Sequence, residues 1–197
     1  TVQKSPVATG ADLVAYSGLN TYNYLEQPYN PDLDFGTGDF CVLSWVNESG
    51  ITGSRYLFDF ATETAGGRSY CLFKQGTILT SDGILNTDIP YVANTWTLVG
   101  LKRKDGVLSG IVNDKEYIIK SNSTGSFGCV GGNVKLHLSR YNKYEAFEKL
   151  ALYRISGTAP TAEQIAKIYR DEKPLFQEGA QATLHGTSDA VTALAYD

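Results

Sequence analysis

The acidic side chains are the first residues to test for chemistry, because cleavage of a glycosidic bond needs two carboxylates about 5 to 10 Å apart across a cleft. On one strand, acids at positions i and i+2 or i+4 point to the same face. Asp32 and Asp34 flank a turn, whereas Glu145 and Glu148 are spaced to point to opposite faces of a strand. Asp59 lies within a strongly strand-like segment without an acid at these spacings, and we expect it on the solvent-facing side. The acids therefore predict that the chain is not an enzyme.

Other catalytic chemistries have as little support. His137 falls on the polar side of an alternating segment, His185 lies near the end of the chain, and neither belongs to a nucleophile motif such as Gly-x-Ser-x-Gly. The cysteines and histidines do not have the spacing of a zinc site. The pair Gly131-Gly132 does not open a helix, so it does not form a phosphate-binding loop.

A calcium site stays open at this stage. Calcium takes six to eight oxygen ligands, which loops commonly supply. The oxygen-bearing candidates have no diagnostic spacing; they are Asp39, Asp59, Asn113, Asp114 and Asn142. The sequence therefore leaves the ligand set of any metal unknown.

Tyrosine-rich segments are the candidates for binding without catalysis, because tyrosine combines a large ring with a polar tip. Three such clusters occur. The candidate ligand-binding residues are Arg140, Tyr141, Asn142 and Tyr144 in a late polar loop, with Arg55, Tyr56, Arg68 and Tyr70 at the starts of two strands; Tyr22, Tyr24 and Tyr29 form a further cluster. The alternative is that these rings pack on the strands and at the rim of the domain, which is the common fate of strand tyrosines.

Composition limits the classes of partner. The chain has 197 residues, of which 42% are hydrophobic and 12% aromatic, and this is enough for one β-rich domain with a sizeable core. The net charge of -4 lacks the basic footprint of nucleic-acid binding. No apolar run is long enough to insert into a membrane. Because the chain starts with Thr and lacks Met, we expect a fragment or a processed product.

The odd cysteine count leaves two alternatives. Cys41, Cys71 and Cys129 each lie in or beside an apolar segment. They are either three buried thiols, or one disulfide with one thiol left over. Three free thiols would suit a protein that folds in a reducing cell interior.

The apolar segment Phe40–Val46 organises the predicted fold. It follows the turn Phe35-Gly-Thr-Gly-Asp39 and is typical of a strand buried on both faces, with Trp45 expected between two sheets. Further short strands are separated by turn signals every eight to twelve residues, which indicates a sandwich or barrel. In one of them the alternation places Tyr56, Phe58 and Phe60 on one face.

One helix and two flanking segments complete the predicted organisation. Thr161 with Gln164 forms a capping box, and apolar residues at helical spacing follow to about Arg170. Residues 1–12 are small and polar and predict an arm or linker. Residues 171–197 predict an extension that ends in a hairpin and leads to a further module or to another chain.

Four segments, in order, resemble the concanavalin A-like and laminin-G-like jelly-roll domains. The first is Asn20 to Trp45, with Leu-Asp-Phe-Gly-Thr-Gly-Asp-Phe at its centre. The second, Thr95-Trp-Thr-Leu-Val-Gly-Leu-Lys-Arg-Lys-Asp-Gly, is similar to the family's strand and hairpin, and Ile111-Val-Asn-Asp to its turn, with Asp114 where Gly is usual. The fourth is Leu136 to Tyr169, in which Ser139 and Glu148 replace usual glycines. The resemblance implies an all-β antiparallel jelly-roll β-sandwich over residues 13–170, with one short C-terminal helix.

The same resemblance implies function. Relatives of this fold bind sugars and often hold Ca²⁺ at the rim, and the tail after residue 170 is similar to a segment of phage tail proteins. We therefore expect a non-enzymatic carbohydrate-binding and structural module of a phage tail or virion protein, which recognises a polysaccharide on the host surface. It would fold in a host cytoplasm and work in the virion, outside the cell. Its partners would be glycan, other virion chains and, through residues 171–197, a second copy; the alternatives are a purely architectural virion domain and a glycan hydrolase.

Overall fold

The computed structural model of the chain describes residues 1–20, 22–50, 53–61, 69–74, 77–86, 92–129, 134–138 and 145–181. The strands are β1 (Gln3–Pro6), β2 (Val14–Ser17), β3 (Leu25–Gln27), β4 (Asp34–Gly36), β5 (Phe40–Asn47), β6 (Arg55–Ala61), β7 (Ser69–Lys74), β8 (Thr77–Thr80), β9 (Gly83–Asn86), β10 (Thr97–Lys104), β11 (Val107–Val112), β12 (Lys115–Lys120), β13 (Phe127–Gly128), β14 (Lys135–Leu138), β15 (Glu145–Ala146) and β16 (Lys149–Ser156). The helix α1 spans Ala162–Glu172, and 3-10 turns span Pro31–Leu33 and Lys173–Phe176. None of the described helices is long and apolar enough to cross a membrane.

Two mainly antiparallel sheets pack face to face. The first sheet has the order β1-β2-β16-β5-β10-β11-β12, and the second has the order β3-β14-β6-β7-β8-β9, with β15 added in parallel to β6. A short pair, β13 with β4, lies beside them. This arrangement confirms the predicted β-sandwich with one short helix.

The strand β5 is buried along its whole length, as its apolar sequence predicts. Its alternate side chains enter two different apolar clusters. Phe40, Val42 and Val46 face the second sheet and join the core between the sheets. Cys41, Leu43 and Trp45 face the opposite way and join a second cluster under α1. We call the face of each sheet that meets the other sheet its inner face, and the opposite one its outer face.

The prediction that Trp45 lies between the two sheets is wrong. The indole lies on the outer face of the first sheet, where it stacks on Tyr169 at 5.6 Å between ring centroids and contacts Phe176 at 4.4 Å. Its Nε1 donates to Glu172 at 2.7 Å. Alternation along β5 predicts only that Trp45 and the residues next to it point to opposite faces of the sheet. The helix α1 provides the apolar cover that buries the outer face.

The termini are more integrated than an arm and an extension. The strand β1 pairs with β2, so residues 1–12 include an edge strand of the first sheet instead of forming only a linker. At the other end, Phe176 packs on both Trp45 and Trp96. The amide of Gly179 donates to the carbonyl of Thr9 at 2.8 Å. Residues 171–181 therefore pack on the sandwich, while residues 182–197, with the predicted hairpin, lie outside the described residues.

The helix α1 forms where the sequence predicts it. Thr161 is the N-cap, and its hydroxyl and the Gln164 side chain exchange hydrogen bonds with each other's backbone amides. The helix continues to Glu172, two residues past the predicted end. Ile165 is buried against the outer cluster of the first sheet, so the apolar side of the helix covers that sheet.

The buried side chain of Arg103 joins two loops of the sandwich. The side chain is fully buried, and its guanidinium lies over the rings of Phe40 and Phe127 at 5.3 and 5.4 Å. It donates to the carbonyl oxygens of Gly36, Gly38 and Gly125 at 2.7, 2.8 and 2.5 Å. Burial lowers the pKa of Arg103, against the opposing effect of nearby carboxylates. One cation thus joins two loops that the chain separates widely.

Candidate functional site

A row of polar side chains crosses the outer face of the second sheet. The register pairs Glu26 of β3 with His137 of β14, His137 with Asp59 of β6, and Asp59 with Tyr70 of β7. Residues that pair directly across strands have their side chains on the same face. The alternate residues Phe58, Phe60 and Leu136 enter the core, so the paired polar residues face outward. We call Glu26, His137, Asp59 and Tyr70 the polar row.

Hydrogen bonds and charge organise one end of the polar row. Glu26 accepts from Lys135 at 3.0 Å through one carboxylate oxygen and contacts His137 Nε2 at 3.1 Å through the other. The ring of Tyr24 meets His137 edge to face, with 5.7 Å between centroids. Partial burial works to raise the pKa of Glu26, but hydrogen bonds and charge from Lys135 and His137 outweigh it and hold the pKa below its usual value. Glu26 is therefore a carboxylate at neutral pH, and it fixes the imidazole.

A β-bulge in β6 determines which side chains lie beside Tyr70, at the other end of the polar row. The register shifts between Tyr56 and Phe58, so Tyr56 pairs with Leu72 while Phe58 pairs with Cys71. The extra residue places Tyr56 on the outer face, opposite to Phe58 and Phe60, so the prediction that all three share a face is wrong. As a consequence Tyr56 lies against Tyr70, with 5.9 Å between the ring centroids.

An apolar row runs beside the polar one. The register continues from Tyr56 and Leu72 to Leu79 of β8 and Ile84 of β9. Ile84 is 60% exposed at the edge of the sheet, whereas Tyr56 and Leu72 are buried. The accessible part of this apolar row is therefore Leu79, which is half-buried, and Ile84, and it adjoins the polar row.

The predicted ligand-binding residues fall into three groups. Tyr56 and Tyr70 are brought together on the outer face. Arg55 instead forms an ion pair with the buried Glu48 at 2.9 Å, which gives its guanidinium a structural partner. The remaining candidates, Arg68, Arg140, Tyr141, Asn142 and Tyr144, lie outside the described residues. The described ends of that late loop are Leu138, beside Phe58, and Glu145, beside Arg55.

Three polar-row residues, Glu26, His137 and Asp59, are not among the residues that the sequence predicts to bind a ligand. Asp59 is predicted on a solvent-facing side but is 1% exposed, so that prediction is wrong. His137 was assigned correctly to the polar side of its strand, yet its pairing with Glu26 and Asp59 depends on strands far away in the chain. In the sequence, the sign that could have identified such residues is a single polar residue within a strongly strand-like segment.

Carboxylates near the site are held by neighbours. Burial raises the pKa of Glu48, an effect that the Arg55 hydrogen bond opposes.

Within the described part of the chain, no group of three or more His, Cys, Asp or Glu side chains is arranged to hold a metal ion. Of the calcium candidates, Asp39 accepts from the amide of Asp105 at 2.9 Å, and Asn113 accepts from the amide of Leu98 at 3.2 Å. Asn142 lies outside the described residues.

The fold is similar to solved β-sandwich domains of carbohydrate-active and toxin proteins. The binding domain of Paraclostridial Mosquitocidal Protein 1 matches with a TM-score of 0.61 and 13% identity over 86% of this chain and 45% of that one. Domain 4 of AbnA, a GH43 extracellular arabinanase from Geobacillus stearothermophilus in complex with arabinotriose, matches with a TM-score of 0.59 and 16% identity over 86% of this chain and 81% of that one. Trypanosoma rangeli sialidase in complex with 2,3-difluorosialic acid matches with a TM-score of 0.57 and 11% identity over 88% of this chain and 30% of that one.

These likenesses establish the β-sandwich fold. The chain spans less than half the length of the toxin binding domain and of the sialidase, and most of the arabinanase domain. No protein-family model matches the sequence, and no curated protein matches it.

Proposed function

We propose that this chain is a non-enzymatic carbohydrate-binding module that binds a polysaccharide segment across the polar row. The observation that carries the proposal is the row itself, in which a carboxylate, an imidazole and a phenol are aligned across four neighbouring strands. Strands lie about 4.8 Å apart, so the row extends about 14 Å, the length of a short oligosaccharide. Planar polar groups hydrogen-bond sugar hydroxyls, and aromatic rings contact the C–H faces.

The solved relatives support the proposal at the level of the fold. The arabinanase domain holds arabinotriose, and this chain covers 81% of that domain. The absence of catalysis is part of the proposal: Asp59 is 1% exposed, so it would lie beneath the bound segment without contacting it, and Glu26 is held by Lys135 and His137.

The test is binding of the purified chain to a panel of plant and bacterial envelope polysaccharides, with arabinan included. A specific polysaccharide should bind to the wild type. His137→Ala and Tyr70→Ala should weaken that binding about tenfold or more, which corresponds to about 1.4 kcal/mol. Tyr16→Ala is the matched control, because Tyr16 is a partly exposed tyrosine on the first sheet. Equal loss in all three variants, or no binding by folded protein, would contradict the proposal.

The same samples test the non-enzymatic part of the proposal. Each polysaccharide is incubated with the chain, and newly formed reducing ends are measured over time. We expect none above the background. Release that disappears in Glu26→Gln would identify a hydrolase.

We further propose that the module belongs to a phage tail or virion protein and acts outside the cell after folding in a host cytoplasm. The support is the resemblance of the tail to phage proteins, together with Cys41, Cys71 and Cys129, which are all buried and free. Assembly with other virion chains, or with a second copy, would use residues beyond Gln181, because residues 171–181 pack on the sandwich. Truncation after Gln181 should then lower the number of chains per particle in solution; an unchanged oligomeric state would contradict assembly through the tail.

A further inference from the structure

A groove separates α1 from the outer face of the first sheet, on the side of the molecule opposite to the polar row. Its volume is about 540 Å³, within the range of about 300 to 1,000 Å³ that is typical of small-ligand sites. Cys41 and Leu43 of β5 form the floor, and Ile168 of α1 adds apolar surface. A hydrocarbon or sugar-ring face would fit against this floor.

The strand β16 gives one wall of the groove a fixed guanidinium. A bulge interrupts its pairing with β5 between Ala151 and Arg154, and Leu152 has a positive φ of 49°. After the bulge, Arg154 pairs with Leu43, so its side chain lies on the groove side of the sheet. Both terminal nitrogens of Arg154 donate to Glu172, which is itself held by the indole of Trp45. The guanidinium is thereby positioned while 40% of the side chain stays exposed.

The helix supplies the opposite wall. Gln164, Lys167 and Asp171 are spaced three or four residues apart and line the groove from one side of α1. Lys167 and Asp171 form an ion pair, with 69% and 57% of their side chains exposed. Exposed pairs at this spacing contribute only about 0.3 to 0.5 kcal/mol, so Lys167 can turn toward a bound anion at small cost.

Hydroxyl groups complete the lining. The hydroxyls of Ser156 and Thr158 lie 2.9 Å apart at the mouth of the groove, and either one can donate. With the amide of Gln164 and the carboxylate of Asp171, they offer both donors and acceptors to a polyhydroxylated ligand.

We propose that this groove binds a sugar acid, that is, a monosaccharide unit that carries a carboxylate. Lys167 would receive the carboxylate, together with the N–H groups of Arg154 that do not donate to Glu172, since both side chains are cations. The hydroxyl, amide and Asp171 groups would bind the sugar hydroxyls, and the floor of Cys41 and Leu43 would contact the ring. The site is independent of polysaccharide binding at the polar row, and either can fail without the other.

The test uses the full chain, with glucuronate, glucose and acetate as probes at low ionic strength and titration by NMR. Glucuronate should bind at least about tenfold more tightly than glucose or acetate, because only it carries both the carboxylate and the hydroxyls. Lys167→Gln should weaken glucuronate binding about two- to fivefold, as expected for an exposed charge. Arg170→Gln is the matched control, because Arg170 has the same charge change on an exposed helix position.

The outcomes are decisive in both directions. Selective glucuronate binding that Lys167→Gln weakens and Arg170→Gln and His137→Ala leave unchanged supports the groove. Absence of glucuronate binding, equal binding of glucose, or equal effects of the two helix variants overturns it. Arg154→Gln gives a second check at the sheet wall, with the melting temperature measured to separate lost binding from lost folding.

Discussion

Replacing Arg103 by methionine should be one of the most damaging single changes in this protein. Methionine keeps much of the apolar stem but is shorter and removes the cation. The carbonyls of Gly36, Gly38 and Gly125 then lose the donor that joins their two loops. The rings of Phe40 and Phe127 lose their contact with a cation.

The structure gives the size of the effect. Hydrogen bonds to a charged group contribute about 1.5 to 3 kcal/mol each, but none of the three glycines is buried, so about 1 kcal/mol each is the appropriate figure. Two cation–π contacts add about 0.5 kcal/mol each, which gives a total of about 4 kcal/mol. That is a large part of the 5 to 15 kcal/mol that stabilises a typical domain, and it corresponds to a fall of about 10 °C in melting temperature.

Urea unfolding followed by circular dichroism, together with calorimetry, measures the loss. Arg170→Met is the control, because Arg170 is exposed on α1 and its loss should cost less than about 0.5 kcal/mol. A loss below about 1 kcal/mol in Arg103→Met would refute the reasoning.

Three further predictions concern the contacts of the helix, the loss of stability at low pH and the reactivity of the thiols. Glu172→Ala should cost about 1 to 3 kcal/mol and alter tryptophan emission, because Trp45 and Arg154 lose their acceptor; unfolding followed by fluorescence measures both. Burial opposes the shift, but Lys120 and nearby donors hold the pKa of Asp82 low, so its stabilisation exists above its unfolded pKa and is lost as the pH falls. Asp82→Asn should therefore be less stable than wild type at pH 7, and the difference should shrink as the pH falls through the acid range, whereas parallel curves would contradict this. Burial raises the pKa of Cys41 to about 12, and the other two cysteines are also buried, so a thiol reagent at pH 8 should label all three only after unfolding.

Local patterns were sufficient to predict many elements. The apolar segment at Phe40–Val46 became the fully buried β5, because a strand covered on both faces needs no alternation. The capping box at Thr161 began α1, because its hydrogen bonds join residues only three apart. Such signals are readable because all the interacting groups are neighbours in the chain.

The candidate site could not be predicted in the same way. Glu26 and His137 are 111 residues apart, and nothing local specifies that β3 and β14 are neighbours. The single extra residue before Phe58 moves Tyr56 to the other face, since the side-chain period of a strand is two and one inserted residue inverts it.

The sequence by itself therefore determined the strands, their turns, the helix start and the sandwich class, because these depend on propensity and on short-range hydrogen bonds. Only the tertiary structure decided which polar side chains form a row, which face Trp45 takes and how α1 encloses a groove with Arg154. The physical reason is that alternation determines which side chains share a face, whereas strand order and register determine which residues that face contacts. Those two quantities are set by the packing of segments that are distant in the chain, and the function of the molecule depends on them.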